Sequence, residues 1–123
     1  MNKKLQLAEE FLKEGKLELE RYETTKKETS LWQACEKGWA SVSCVLKAVN
    51  PKIRRHADFG KTAMQLARKY NNREIMLGEA CGEMLHRSGF YEHALDKDVI
   101  KESLFSIESF LHLIDNIVLN RKK

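Results

Sequence analysis

Apolar residues recur three and four positions apart along nearly the whole chain, the spacing that lines one face of an α-helix. Leu5, Ala8, Phe11, Leu12, Gly15, Leu19 and Tyr22 predict a first helix over about residues 2 to 25. Gly15 weakens that face by about 1 kcal/mol relative to alanine, and its missing side chain lets a neighbouring helix come close. The polar run 23–29 reads as a fraying end and a connection. Ser30 and Gln33 have capping-box spacing, so a second helix is expected to start at Ser30. It carries the stripe Trp32, Cys35, Trp39, Val42, Leu46 and Val49, with Leu31, Ala34, Gly38 and Val45 beside it. Asn50-Pro51 ends it, since the residue before proline disfavours helical geometry.

Asp58 is the expected N-cap of a shorter helix with Phe59, Ala63, Leu66 and Tyr70 inward, stopping at Asn71-Asn72. A fourth helix turns Ile75, Gly78, Cys81 and Leu85 inward and loses its pattern at Ser88-Gly89. The last opens at Asp96, with Leu95 and Ile100 in the two positions of a hydrophobic staple. It runs Ile100, Leu104, Ile107, Leu111, Ile114 and Val118; Phe110, Leu113 and Ile117 widen that seam beyond what one antiparallel neighbour needs. Part of it is expected to face a second subunit. The fold class that follows is all-α, an antiparallel bundle of four to five helices, with residues 1–123 as one domain.

Composition agrees: 42% apolar residues suffice for one core, and 33% charged residues with a single proline suit long solvated helices. Ten large apolar side chains at about 2 kcal/mol each outweigh any surface ion pair at under about 1 kcal/mol, so packing sets the fold. Cys35, Cys44 and Cys81 are odd in number and lack Cys-x-x-Cys spacing, which predicts free thiols and a reducing cytoplasm. A signal peptide, a membrane span, a metal centre and a cofactor are not expected.

The formal charge of +4 is unevenly placed. Residues 51–73 hold Lys52, Arg54, Arg55, Lys61, Arg68, Lys69 and Arg73 against Asp58 alone, a local +6. Arg54-Arg55-His56 precedes the third helix, where guanidinium tips can meet a phosphate. With Lys61 and Arg68 it makes an edge that attracts nucleic acid or nucleotide, against the plainer reading of a solvated turn. The second concentration of chemistry is Leu85-His86-Arg87-Ser88-Gly89-Phe90-Tyr91-Glu92-His93. On a continuous helix His86 and His93 fall within about 20° of each other, positioned for acid–base work, the alternative being one part-buried and one surface histidine. Arg87 and His93 diverge by about 120° unless Gly89 breaks the helix or a two-fold dimer brings them together. Trp32 and Trp39, one heptad apart, are assigned to the core.

Ala8-Glu9-Glu10-Phe11-Leu12, Ser30-Leu31-Trp32-Gln33-Ala34-Cys35-Glu36-Lys37-Gly38-Trp39, Arg55-His56 with Asp58-Phe59, and Leu85-His86 with Phe90-Tyr91-Glu92 together resemble the HEPN superfamily, in its archaeal PaREP branch. That resemblance implies a dimeric helical bundle linked to RNA and nucleotides, with Arg54, Arg55, His56, His86, Arg87 and His93 as candidate contacts. Many HEPN proteins are metal-independent ribonucleases marked by Arg, four to six residues, then His. Arg87 and His93 match that spacing, but Ser88 stands where active members often carry asparagine, which favours binding over catalysis. The expected partners are therefore RNA or nucleotide, a second copy of the chain, and a partner protein such as a nucleotidyltransferase. RNA cleavage by His93 and Arg87, and an antitoxin-like interaction role, are the competing expectations.

Overall fold

Five α-helices account for most of residues 2–119, the part of the chain that the computed structural model describes. They are α1 (Lys3–Thr25), α2 (Glu28–Val49), α3 (Ala57–Lys69), α4 (Glu74–Met84) and α5 (Lys97–Ile114). Wider π-helical turns extend α4 over Leu85–Tyr91 and α5 over Asp115–Leu119. Among the described residues there is no strand, and no helix is long and apolar enough to cross a membrane.

The central element is α2, which turns Leu31, Ala34, Cys35, Gly38, Trp39, Ser41, Val42, Cys44, Val45 and Leu46 inward and meets every other helix. α1 lies antiparallel to it. Ser41 Oγ donates to the Ala8 carbonyl at 2.7 Å and Cys44 Sγ to the Lys4 carbonyl at 3.3 Å, while a methyl on Gly15 would stand 3.3 Å from the Ala34 oxygen. The close approach inferred for Gly15 is thus present. On another side of α2, α4 and its π turn also run antiparallel, with Gly82 beside Val42, Leu85 on Gly38 and Gly89 on Cys35. α5 is antiparallel to α1, through Lys16–Glu108 at 2.9 Å and Lys97–Glu23 at 2.8 Å, and to α4 through Gly78 on Phe110. α3 flanks α4.

Several boundaries depart from the sequence expectations. α2 starts at Glu28, and neither Ser30 nor the N-cap Lys27 makes a capping hydrogen bond from its side chain. The connection shrinks to Lys26-Lys27 because Lys26 adopts the left-handed conformation at φ 57° and its N–H closes onto the Tyr22 carbonyl; Glu23 is meanwhile held by Lys97. Asp58 lies inside the first turn of α3. Its Oδ2 reaches back to accept from the Arg54 and Arg55 amides, both at 3.0 Å, so it ties the preceding loop and does not cap the helix. Those bonds hold the Asp58 carboxyl below its ordinary range. Asp96 does cap α5, accepting from the Val99 N–H at 2.9 Å. Of the residues that widen the α5 face, Phe110 is 2% exposed against α4, while Leu113 and Ile117 are half-buried. All three cysteines are free, and burial raises each thiol's pKa, Cys35 to about 12.

Gly78 is the tightest of these helix contacts. A methyl there would come within 2.2 Å of the Phe110 ring and 2.7 Å of its Cβ, so α5 itself would have to shift. Gly78→Ala is expected to destabilise by about 2 kcal/mol or more. Gly60→Ala, whose new methyl meets nothing nearer than Glu79 Oε1 at 3.9 Å, should gain about 0.5–1 kcal/mol from helix propensity. Urea midpoints of the two variants check this; a Gly78→Ala protein as stable as the unaltered chain would contradict the packing described.

Candidate functional site

Trp39 on α2 is 8% exposed and forms the floor of the site. His56, at the start of α3, lies 5.2 Å from its indole, and His86, in the π turn, lies 5.2 Å from it at an interplanar angle of 27°. The two imidazoles are 5.5 Å apart and 20° from parallel. Three nearly equal centroid separations cannot belong to a column, so the three rings form a triangle in which the imidazoles are close to parallel. Phe59 meets Trp39 edge-on at 5.1 Å, and Tyr91 meets His86 edge-on at 4.9 Å. Rings in these offset and edge geometries hold one another's orientation.

Each imidazole is also held by a carboxylate from a different helix. His56 Nε2 is 2.6 Å from Glu83 Oε1 on α4, and His86 Nδ1 is 3.3 Å from Glu36 Oε1 on α2. Behind Glu83, one turn earlier on α4, Glu79 is 8% exposed and its Oε2 has no hydrogen-bond partner. Burial, with the Glu83 carboxylate against it, pushes Glu79 up to about 8. Burial opposes the charge on Glu83 too, but hydrogen bonds from Glu79 and His56 and the charges of His56 and Arg87 leave it below its ordinary range. At neutral pH the pair therefore carries one proton, on Glu79.

The site opens into a groove of about 700 Å³ lined by His56, Gly60, Glu83, Met84, Arg87 and Ser88. His56 and Arg87, drawn from two separate stretches of sequence, thus share the groove, while His86 joins them only through its ring contact with His56. Arg54 and Arg55 lie on the α2–α3 loop just before His56 and are not among the groove-lining residues. Arg54 donates to the Pro51 and Ile53 carbonyls, both at 3.2 Å, and Arg55 pairs with Asp58 at 3.5 Å, so these tips are partly engaged by their own loop. Lys61 and Arg68 are exposed along α3.

His93 is elsewhere. The register that sets His86 on Trp39 sets His93 on Trp32, seven residues earlier on α2, with rings stacked 4.4 Å apart at 3°. Two turns of helix separate these contacts by about 10 Å, so the two histidines face one helix without sharing a site. Trp32, expected in the core, is half-buried at this edge. The break expected at Gly89 takes the form of a π turn closed by His93 in the left-handed conformation at φ 56°, and it leaves Arg87 in the groove and His93 on Trp32. Among the described residues no hydrogen bond or ion pair joins Arg87 to His93.

Sequence reasoning passes over Glu36, Glu79 and Glu83. The signal was present: Glu79, Glu83 and Arg87 recur every fourth residue along one helix face, and Glu83-Met84-Leu85-His86 has Glu-x-x-His spacing. The two ends of that motif nonetheless hold different partners, and among the described residues no group of three or more His, Cys, Asp or Glu side chains is placed to bind a metal ion.

The Glu79 proton gives a pH prediction. The folded chain keeps it up to about pH 8, whereas the unfolded chain releases it near 4.5. Between those values the folded state binds the extra proton, so the Glu79 contribution is full below 4.5 and is lost as pH rises through 8. Glu79→Gln keeps the shape and the donor but cannot ionise. Urea midpoints from about pH 5 to 8 should fall for the unaltered chain relative to Glu79→Gln by on the order of 2 kcal/mol. Parallel pH profiles would mean that Glu79 is ionised throughout.

No curated protein and no solved structure matches this chain. A family model, described as the archaeal PaREP1/PaREP8 family, matches residues 1–111, a span that includes every residue of the ring cluster and its carboxylates. On that match, the chain belongs to the archaeal PaREP1/PaREP8 family.

Proposed function

We propose that this protein binds RNA or a nucleotide through the groove beside Trp39, as a HEPN-like helical module. The observation that carries the reading is that His56 and Arg87 share one open groove beside the +6 segment 51–73, with His86 packed against His56 in the ring cluster. The exposed Arg87 guanidinium at the groove and exposed Lys61 and Arg68 outside it are the groups that recognise phosphate oxygens. Inside, the ring cluster offers planar edges suited to an unstacked base or a ribose. The expected homodimer enters through Leu77 and Phe105, which are 66% and 64% exposed and border the same depression between α4 and α5. Apolar side chains so placed suit a protein contact, whether with a second copy or with another protein.

The test is fluorescence anisotropy with a labelled single-stranded RNA between 50 and about 200 mM salt. If three or four phosphates are neutralised, log K should fall against log salt with a slope of about −2 to −3. Lys61→Ala with Arg68→Ala should weaken binding and flatten the slope by roughly 1. Arg87→Ala should weaken it further. Binding that ignores salt, or is untouched by all three changes, would place the ligand elsewhere.

A further inference from the structure

We propose that the trough between α4 and α5 is a docking site for an amphipathic helix of another protein, one whose apolar stripe is flanked by lysine and arginine. The inference rests on the protein-contact reading of Leu77 and Phe105 above and narrows it to one occupant.

Two depressions, of about 450 and 360 Å³, open between these antiparallel helices, and Cys81 and Ser106 line both, so they form one trough. It runs from Glu74 and Leu113 at one end to Asp98 and Val99 at the other. Val99 to Leu113 is about 21 Å of α5, room for roughly four turns of a docked helix. Exposed Leu77 on α4 and Phe105 on α5 are its walls. Between them the lining is small, with Gly78, Cys81, Ser103 and Ser106, so a helix can settle close to both elements. An extended strand fits less well. The two walling helices have spent their backbone N–H and C=O groups on their own turns, and a strand laid there would find no partners for its own. A helix brings its backbone bonds with it and needs only side-chain contacts at i, i+3, i+4 and i+7.

Charge specifies the flanks of that helix. The charged residues of the trough are Glu74, Asp98 and Glu102, all exposed. Among the described residues none of the three forms an ion pair, and no lysine or arginine lines the trough. Lys97 and Lys101 line instead the depression on the other side of Phe105, which Asp98 and Glu102 also border, and Glu23 holds Lys97 there at 2.8 Å. A second copy is the poorer occupant. A two-fold contact sets one patch against itself, so the carboxylates of one copy would face those of the other. Unpaired carboxylates around an apolar floor repel such a copy and select a cationic partner.

The probe is a displayed library of helical peptides of about 16 residues with a fixed leucine stripe and flanking positions varied among lysine, glutamate and glutamine, selected on the whole chain. Lysine is expected to exceed glutamate at the flanks by about 10-fold or more after selection. A selected peptide should bind more weakly as salt rises, and should lose about 10-fold in affinity on Phe105→Ser and on Glu74→Gln with Glu102→Gln. Cys35 and Cys44 are buried while Cys81 is half-buried in the trough, so the bound peptide should also slow alkylation of Cys81. Phe105→Ser should bind RNA as the unaltered chain does, because Lys61, Arg68 and Arg87 lie outside the trough; joint loss of peptide and RNA would overturn the inference. So would a selection that enriches nothing or favours glutamate, or a peptide indifferent to both variants or to Cys81. A chain that light scattering shows as a dimer, and as a monomer in Phe105→Ser, has its second copy in the trough, which overturns the inference and leaves the groove reading untouched.

Discussion

Close packing of α2 against α4 and its π turn decides where every functional side chain ends up. Three glycines set that contact: Gly82 admits Val42 and Trp39, Gly38 admits Leu85, and Gly89 lies on Cys35, where an added methyl would come within 2.4 Å of the sulfur. Each fixes the same antiparallel register, in which a step up one helix is a step down the other. Trp39 must then meet His86, and Trp32 must meet His93. The site is a product of the core, since the interdigitation that buries Leu85 and Cys35 completely also sets the rings in place.

Around that register the chain accepts a local electrostatic cost. A buried oxygen without a partner, such as Glu79 Oε2, costs about 1–3 kcal/mol, and a core built for stability alone would place an apolar side chain there. What the arrangement provides is a charged Glu83 at 2.6 Å from His56, with its like-charged neighbour silenced by a proton. Departures from good packing chemistry of this kind concentrate where a protein works. The surface ion pairs contribute little by comparison. Lys37–Glu14 and Lys16–Glu108 are substantially exposed, and pairs of that kind are worth under about 1 kcal/mol each.

Much of the fold was legible because local signals and tertiary packing agree. The stripes of α1, α2 and α5, the stop at Asn50-Pro51 and the Asp96 cap all follow from spacing and side-chain chemistry within a few residues. The misreadings share a cause, which is one local partner displacing another. Ser30 has capping-box chemistry, but the hairpin closes earlier through Lys26; Asp58 has N-cap chemistry, but the Arg54 and Arg55 amides engage it. At the site, His86, Arg87 and His56 could be singled out by residue type. Their convergence could not, because it depends on α3 and α4 lying antiparallel. The three glutamates carry no mark of their own in the sequence, since a glutamate at regular helical spacing usually lies on a solvated face. The π turn, with no local marker beyond Gly89, displaced Arg87 from the partner its spacing suggested.

Charge placement then divides the labour between the groove and the edge beside it. Glu36, Glu83 and the proton-bearing Glu79 stand behind the imidazoles, so the inner site has little positive potential of its own beyond Arg87. On the proposed reading, attraction of a polyanion comes from the 51–73 segment, whose cations lie on the loop and on α3 and whose field reaches about 8–10 Å at ordinary salt. Orientation, by contrast, must come from the rings, which are fixed by packing and insensitive to ionic strength. His56 belongs to both systems, standing at the end of the cationic loop and at the head of the ring cluster. On the proposed reading, His56 is therefore the imidazole that a ligand phosphate drawn to that loop meets, since it alone of the two lines the groove.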